Sequence, residues 1–514
     1  MAVACFQDDY GVGEGAVGLL SIKKSYIRMI GYGLLLINVL IFLGTWCRLY
    51  IGIPAICLLL YGFYILGRNI LADDAEIIIS QKALWLVIGL MTAWVVFSGL
   101  GGFFPQKFDL HWRNAILHDL INYPWPVVYS DGSSLTYYIA FWLAPALLGK
   151  LGVLLFSQEA GWIIANFTYA LYSASLLCVM FLLITSYLKV TTTRKILVVG
   201  TVLILFSGMD IVPIVIRQMG QSIISIGTHL EWWTNIQYSS NATQLAWVYN
   251  QAVPAWLVTS LFLHERHMSH WAFLGLLLLP YGPFPLVGLA FLMVITALDE
   301  LTIAVRKSTI KDLIREILTI PNLTAATVIV PIYYLYYFTN TATSAYGIRV
   351  QVSDSYFYFI LVEFLVFALL IGKVFFKERL FIFDVICLIF IPFIALGAKQ
   401  DFCMRASIPF LFILMIYVMR YLFEKVVLIN NRLQMSGIAF VLLFCLGVGA
   451  ITPLTEFRAS YVKMVQTEGG IMMADDIRTL GHVDMERANF VTMNASNTLF
   501  YQYLAPDSGS CLIN

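Results

Sequence analysis

Residues 83–104 read ALWLVIGLMTAWVVFSGLGGFF, and residues 107–134 read KFDLHWRNAILHDLINYPWPVVYSDGSS. The first stretch is uncharged over about 20 residues, the length that crosses a hydrocarbon core. The second places acidic, basic and aromatic side chains together as soon as the apolar run ends. This pair of stretches predicts a membrane-spanning helix that opens into a polar loop at the membrane surface.

The composition extends this prediction to the whole chain. Of the 514 residues, 60% are hydrophobic and 12% are charged, and the mean hydropathy is +0.83. Soluble domains carry about 25% charged residues. Apolar runs of spanning length recur along the sequence, so we predict an all-α polytopic membrane protein with about 13 transmembrane helices.

Charge and cysteine content exclude several function classes. The formal net charge is +1, and no basic tract is interleaved with aromatic residues, so nothing predicts a nucleic-acid partner. The eight cysteines have no C-x-x-C spacing and lie mostly inside apolar runs. They are therefore interpreted as small buried hydrophobic residues and not as a zinc or redox site.

The positions of the basic residues predict the orientation, because Lys and Arg near span ends stay on the cytoplasmic side. Lys23, Lys24 and Arg28 place the N-terminus inside, and three spans then put the loop after residue 104 outside. The predicted organisation is a cytoplasmic segment 1–28, a transmembrane domain 29–452 with external loops 104–160 and 215–252, and an extracytoplasmic tail 453–514.

Residues 136–156 allow two interpretations. If they span the membrane, the basic cluster of Lys189, Arg194 and Lys195 falls outside, against the charge rule. If they lie in or dip into the outer face, that cluster is cytoplasmic. The charge rule favours this second interpretation.

The first external loop offers a candidate general base. Asp109 lies immediately beyond a span end and is positioned to take a proton from an acceptor hydroxyl. His111 and Arg113 beside it are candidate phosphate ligands, and His111 could instead orient Asp109 or have neither role. The alternative is a solvated interfacial loop with an aromatic belt. Asp119 and Asp131 are typical of a helix surface and of a turn.

The second external loop contains Glu231, Trp232 and Trp233 in succession. An acid beside two large rings suits a sugar, whose C–H face stacks on the rings while its hydroxyls bond the carboxylate. The alternative is an interfacial Trp pair with a water-exposed Glu. Asp210 lies near the preceding span end, where a charge is expected to face a cavity or a partner.

A third cluster offers phosphate ligands. Arg405 starts a span, and together with Lys399 and Arg349 it is a candidate to bind a lipid phosphate through charge-assisted hydrogen bonds. The alternative is a simple ion pair with Asp401.

Three features of the sequence carry a resemblance. An Asp opens a large external loop, YYIAFWLAPALLGKLG (137–152) follows it, and MRASIPFL (404–411) begins a late span. Together they resemble the GT-C superfamily of membrane glycosyltransferases, with Ala406 where the family's R-Y-x-x-P segment commonly has Tyr. FSGMD (206–210), EWW and QYSSNATQLAWVYNQ also resemble uncharacterised bacterial membrane proteins of cell-surface polysaccharide loci. This chain departs from the family in opening its first large loop after the third span and not after the first.

The resemblance implies a substrate class and residue roles. The donor would be a sugar on a polyprenyl or dolichyl phosphate within the membrane lipid. The acceptor would be a glycan, lipid or protein at the extracytoplasmic face of the plasma membrane. By the same resemblance Asp109 is the catalytic base, Arg405 the phosphate ligand and Glu231 a weaker second acid, in one inverting displacement. Some relatives use Mg²⁺ or Mn²⁺ and some use no metal. Asp109, Glu231 and Asp210 could build such a site here, although no ligand spacing in this sequence requires one.

Three other functions remain open from the sequence. A polysaccharide polymerase or ligase also has many spans and one large external loop. A flippase or other transporter of lipid-linked sugars would need polar residues along several spans. A catalytically inactive scaffold would hold lipid-linked intermediates for a partner protein.

Overall fold

The computed structural model describes residues 18–219, 227, 229–265, 267–340, 347–350, 352–396, 401–429, 432–467, 474–482, 487 and 489–506. Within them the chain is predominantly helical. The helices are α1 (Lys24–Trp46), α2 (Leu49–Leu71), α3 (Gln81–Phe97), α4 (Leu110–Asn122), α5 (Ala140–Leu155), α6 (Gln158–Tyr187), α7 (Thr193–Leu205), α8 (Ile211–Arg217), α9 (Asn241–Phe262), α10 (Trp271–Leu276), α11 (Pro283–Lys307), α12 (Ile310–Ile317), α13 (Ile320–Phe338), α14 (Tyr356–Ile360), α15 (Val366–Phe375), α16 (Arg379–Phe390), α17 (Asp401–Ala406), α18 (Ile408–Lys425), α19 (Gly437–Gly449) and α20 (Ile451–Thr467).

Short antiparallel strand pairs connect distant parts of the described chain. The strands are β1 (Leu19–Lys23), β2 (Glu76–Ser80), β3 (Ser134–Leu135), β4 (Arg349–Val350), β5 (Ile394–Ala395), β6 (Val426–Ile429), β7 (Arg432–Met435) and β8 (Val491–Thr492). They pair as β1–β2, β3–β8, β4–β5 and β6–β7. The β3–β8 pair joins segments more than 350 residues apart, with Ser134 opposite Thr492.

Several helices have the length and composition of membrane spans, as expected for a multi-pass membrane protein. Six qualify among the described residues, or seven if the bent pair α12–α13 is one span: α1, α2, α6, α11, Tyr356–Phe375 and Gly437–Gln466. The sequence predicted about 13. Part of the difference arises because apolar stretches of spanning length are interrupted. Residues 196–214 are divided between α7 and α8, and residues 380–398 leave α16 through a 3₁₀ turn.

Buried ion pairs connect the basic residues at one end of the bundle. Arg28 donates to Glu265 at 2.6 Å, and His270 contacts the other oxygen of that carboxylate at 3.2 Å. The hydroxyls of Ser80 and Thr193 are 3.5 Å apart, which places residues 189–195 at this same basic end. This is the arrangement that the charge rule favoured for that cluster.

Helix α5 is short and runs beside α6, which is compatible with the dipping segment that the charge rule favoured. It packs antiparallel along α6, with Phe141 against Tyr172 at a ring-centroid distance of 5.3 Å. A Cβ on Gly149 would meet Ala165 at 2.9 Å, so the helices approach closely through small residues. With 16 residues, α5 is about 24 Å long and accompanies only the half of α6 that is remote from the basic end.

The C-terminal segment packs against the rest of the described chain. Arg48, at the end of α1, donates to the carbonyls of Ala505 at 2.8 Å and of Gln502 at 3.1 Å. Phe490 stacks on Trp112 of α4 with a centroid distance of 5.6 Å. The described residues after 474 therefore cover the loop that follows α3.

Asp119 shows the consequence of this covering. The sequence predicted a helix-surface residue, but its side chain is fully buried. Its carboxylate accepts from the Tyr129 hydroxyl at 2.8 Å and from the backbone N–H of Leu480 at 3.0 Å. Asp131 does occupy a turn, where it accepts from the backbone N–H of Ser133 at 2.9 Å.

Candidate functional site

A cavity of about 840 Å³ lies where the loop after α3, the 3₁₀ turn Leu230–Trp233, the start of α9, the β4–β5 pair, α17 and α20 meet. Helix α9 runs from this cavity, which it lines with Trp247, to His264 near the basic end. Val248 kinks this helix, so its 22 residues span at most about 33 Å, a length comparable to the thickness of a hydrocarbon core.

Five of the residues singled out in the sequence line this one cavity. They come from four separate segments: Asp109, Glu231, Trp232, Arg349 and Arg405. The fold thus brings a carboxylate, a second acid, an indole and two guanidinium groups to a common space.

A glycine-rich turn positions Asp109. Gly99 and Gly101 adopt φ values of 85° and 80°, a left-handed conformation that glycine adopts without steric cost. Gly101 also packs where a Cβ would meet Ala170 at 2.8 Å. The chain leaves α3 through this turn and returns to begin α4, with Asp109 as its N-cap residue.

The carboxylate of Asp109 makes no hydrogen bond to another described residue. Its position before the first turn of α4 is favourable for a negative charge because the unpaired N–H groups of the helix point toward it. Phe108, its neighbour in the cavity wall, is 70% exposed. Asp109 is therefore a half-buried carboxylate that remains available to a ligand.

Two arginines, Arg349 and Arg405, add positive charge to the cavity wall. Arg349 lies on β4, which pairs with β5 at Ala395. Arg405 lies on α17 and forms an ion pair with Asp401 at 2.9 Å, which was the alternative considered from the sequence. Its Nε is buried and has no partner among the described residues, so the guanidinium is not fully satisfied. Both arginines still line the cavity.

Glu231 and Trp232 have opposite environments. Glu231 is 4% exposed and accepts from the backbone N–H of Ser240 at 2.9 Å and from Gln237 at 2.7 Å. Burial and the negative charge of Asp210 raise the pKa of Glu231 to about 8. Trp232 is 60% exposed, so its indole is accessible to a ligand.

A row of charged side chains that the sequence did not predict, Lys107, Glu456 and His229, lies at the cavity wall. Lys107 contacts Glu456 of α20 at 2.7 Å, and His229 Nδ1 lies 3.0 Å from the other oxygen of that carboxylate. Trp247 Nε1 donates to Glu456 at 3.5 Å. The only sequence signal was an acid in TPLTEFRASY, after the last predicted span, in the segment that the sequence predicts to be a separate tail.

A second acidic group lies behind Glu231. Asp210, at the end of FSGMD, accepts from Thr452 of α20 at 2.8 Å and interacts directly with the carboxyl of Glu363. Gly208 allows this contact, because a Cβ there would collide with the Glu363 carboxyl. Asp210 is fully buried and faces partners, as the cost of a charge at membrane depth predicts.

The remaining predicted residues do not line the cavity. Trp233 is buried and donates through Nε1 to Glu363 at 3.4 Å. Arg113 is 4% exposed and lies over the rings of Tyr137 and Phe490 at 5.6 and 5.7 Å, so it packs as a cation–π residue. His111 packs edge-on against the neighbouring Trp112 ring. Lys399 lies outside the described residues.

Metal binding was left open by the sequence. Across the part of the chain that the structure describes, no three His, Cys, Asp or Glu side chains are grouped so that they could hold a metal ion. Asp109, Glu231 and Asp210, the three residues that the sequence offers for such a site, do not form such a group, so these described residues do not fit a divalent metal.

Comparison with known proteins adds no family. No protein-family model, no curated protein and no solved structure matches this chain.

Proposed function

We propose that this multi-pass membrane protein is a glycosyltransferase that moves a sugar from a polyprenyl-phosphate donor to an acceptor hydroxyl. The observation that carries the proposal is the convergence on one cavity of Arg349, Arg405, Trp232 and Asp109. Each has a distinct use in such a transfer, and they reach the cavity from four parts of the sequence. The resemblance to GT-C enzymes points to the same chemistry.

The arginines would bind the phosphate of the donor. Guanidinium groups bind phosphate oxygens through paired hydrogen bonds and stay charged at any physiological pH. Arg405 is nearly buried, and a charge–charge contact is stronger there than in water. Because Asp401 already occupies one of its N–H groups, the phosphate would share or displace that carboxylate.

The sugar would lie against Trp232, whose exposed ring offers a flat apolar face. Glu231 lies next to it in the chain and lines the same cavity. With its pKa raised to about 8, Glu231 is protonated at neutral pH and is able to donate a hydrogen bond as well as accept one. It would therefore position a sugar hydroxyl and not act as a negative charge.

Asp109 would act on the acceptor. Its carboxylate takes the proton of the acceptor hydroxyl while the hydroxyl oxygen attacks the anomeric carbon and the lipid phosphate leaves. One displacement of this kind inverts the anomeric configuration. Binding donor and acceptor together in the cavity would also increase the reaction rate, because the reacting groups are held close to each other.

The proposed location is the plasma membrane, with the cavity at the extracytoplasmic face and the basic end at the cytoplasm. The charge rule supports this orientation, because Arg28, Lys24 and the cluster after Lys189 gather at the end opposite the cavity.

The test is sugar transfer in liposomes that contain the purified protein. Radiolabelled sugar on a polyprenyl phosphate is supplied, and transfer to an acceptor is measured for wild type, Asp109→Asn and Asp312→Asn. Asp312 is an exposed acid on α12 and serves as the matched control. We expect transfer to fall by at least about 100-fold in Asp109→Asn only.

Other outcomes distinguish the alternatives. Movement of labelled lipid between leaflets without transfer would establish a flippase and overturn the proposal. Extension of a lipid-linked glycan by whole repeat units would establish a polymerase. Full transfer by Asp109→Asn would remove Asp109 from the chemistry.

A further inference from the structure

The chain of Lys107, Glu456 and His229 has no task in the displacement proposed for Asp109. It is a built arrangement, since the side chains of Lys107 and Glu456 are 9% and 5% exposed and that of His229 is 26% exposed. Lys107 also donates to the backbone carbonyl of Glu456 at 3.1 Å. The three residues come from the first loop, the second loop and α20, so the fold assembles them.

The contacts assign the protons. Glu456 faces the Lys107 ammonium at 2.7 Å and is therefore a carboxylate that accepts hydrogen bonds. His229 Nδ1, at 3.0 Å from this carboxylate, must then carry a hydrogen. Nε2 is the nitrogen that remains for a ligand, and His229 lines the cavity.

Aromatic packing fixes the imidazole in this orientation. Its ring lies 4.4 Å from the Trp232 ring and meets the Trp247 ring edge-on at 5.2 Å. A histidine that is held through Nδ1 by a carboxylate and presents Nε2 to a cavity has the arrangement of an acid–base catalyst. In such a pair the carboxylate holds the imidazole through Nδ1–H, and Nε2 is the nitrogen that exchanges a proton with a ligand.

We propose that His229, oriented by Glu456, gives a proton to the departing lipid phosphate. This inference rests on the proposed function. The bond between the anomeric carbon and the phosphate oxygen breaks, its electron pair stays on that oxygen, and the phosphate takes the Nε2 proton. Asp109 takes the proton of the acceptor hydroxyl, so one proton enters the phosphate and one leaves the acceptor. Exchange with solvent then restores both residues.

The different roles of Asp109 and His229 follow from the chemistry of their side chains. A carboxylate with no hydrogen-bond partner among the described residues, such as Asp109, accepts a proton, whereas an imidazolium donates one. Charged and titratable groups around His229 come from every wall of the cavity: Glu456, Lys107, Glu231, Asp109, Arg349, Asp401 and Arg405. Of these seven described residues, Glu456 is the one that bonds the imidazole directly.

Two substitutions separate orientation from proton donation. Asparagine places its amide near Nδ1 and keeps the contact with Glu456, but it has no group at the position of Nε2. Glutamine places an N–H donor near Nε2 that forms a hydrogen bond without giving up a proton. His267→Asn is the control, because His267 contacts Glu316 at 3.2 Å in a similar pair far from the cavity and is 76% exposed.

Two measurements are made on the full chain in detergent or liposomes. The first is binding of farnesyl phosphate between about pH 5 and 8, where imidazoles change charge. The second is the pH dependence of kcat and KM for sugar transfer. We expect wild type to bind farnesyl phosphate more tightly at low pH, and this extra dependence to vanish in His229→Asn but not in Asp109→Asn.

Catalysis should respond in kcat. His229→Asn is expected to lower kcat by about 10²-fold with less than about a threefold change in KM, and His229→Gln to retain part of the rate. The fall of the wild-type rate at high pH should be absent in His229→Asn. A similar kcat and pH profile in wild type and His229→Asn would overturn the inference. Absence of both binding and transfer in wild type would instead overturn the proposed function.

Discussion

Replacing Glu456 by methionine tests the charged chain in the cavity wall most directly. The substitution removes a carboxylate that is 5% exposed and leaves the Lys107 ammonium, itself 9% exposed, without an opposite charge. At 2.7 Å and an effective dielectric constant of about 20, two unit charges attract by about 6 kcal/mol. Most of this attraction is offset by the loss of hydration of both groups.

The expected net effect follows from what each single substitution leaves behind. Removing one partner of a buried pair costs about 3–5 kcal/mol because an unpaired charge remains. Glu456→Met leaves Lys107 with only the backbone carbonyl of residue 456. Lys107→Met should cost less, because His229 and Trp247 still donate to Glu456. The double variant has no unpaired charge and should regain most of the loss.

The assay is unfolding of the purified protein in mixed micelles of increasing SDS content, followed by tryptophan fluorescence. The four proteins form a double-mutant cycle with an expected coupling of about 2–3 kcal/mol. Additive losses would refute the reasoning, because they would mean that Lys107 and Glu456 do not interact in the folded state. Sugar transfer by the double variant should stay low, since His229 no longer has its orienting carboxylate.

Three further predictions concern the cavity. Asp401→Asn should lower the Kd of farnesyl phosphate by about 3- to 10-fold, because it removes a negative charge 2.9 Å from Arg405; a higher Kd would show that Asp401 positions the guanidinium. Trp232→Ala should raise KM for the donor by about 10-fold and Trp232→Phe by much less, and equal effects would argue against ring stacking. Glu231 binds its proton more tightly in the folded state, with a pKa of about 8 against an ordinary value of 4.5, so its contribution to the free energy of unfolding is fully present below about pH 4.5 and falls as pH rises to 8. Glu231→Gln should remove this decrease in the free energy of unfolding between about pH 4.5 and 8, as measured by unfolding at several pH values.

The sequence predicted the parts of the site that follow from local pattern. Asp109 was found because a carboxylate directly after an apolar run is unusual, and Arg405 because it begins a span. Both line the cavity. The multi-pass helical class was equally accessible, since composition alone distinguishes it from a soluble domain.

Which of the predicted residues line the cavity depends on contacts between distant parts of the sequence, and a local sequence pattern does not show these contacts. Arg113 and Trp233 have the same residue types as Arg405 and Trp232, but two aromatic rings pack over Arg113 and the Glu363 carboxyl accepts from Trp233 inside the protein. Burial of Asp119 depends on Leu480, about 360 positions later. Asp119 and Arg113 also have partners nearby in sequence, Tyr129 and Tyr137, but Leu480, Phe490 and the Glu363 partner of Trp233 lie more than 100 positions away.

Contacts with the C-terminal segment determine the position of Asp109. Asp109 has no hydrogen bond of its own among the described residues, so its position depends on the loop around it. That loop is held by Lys107 on Glu456 at one side, and by the β3–β8 pair and the Asp119–Leu480 contact at the other. A carboxylate that must stay available to a ligand cannot be fixed by bonding its own oxygens. In this fold α20 and the segment after it hold the loop in place, and they therefore position Asp109 in the cavity.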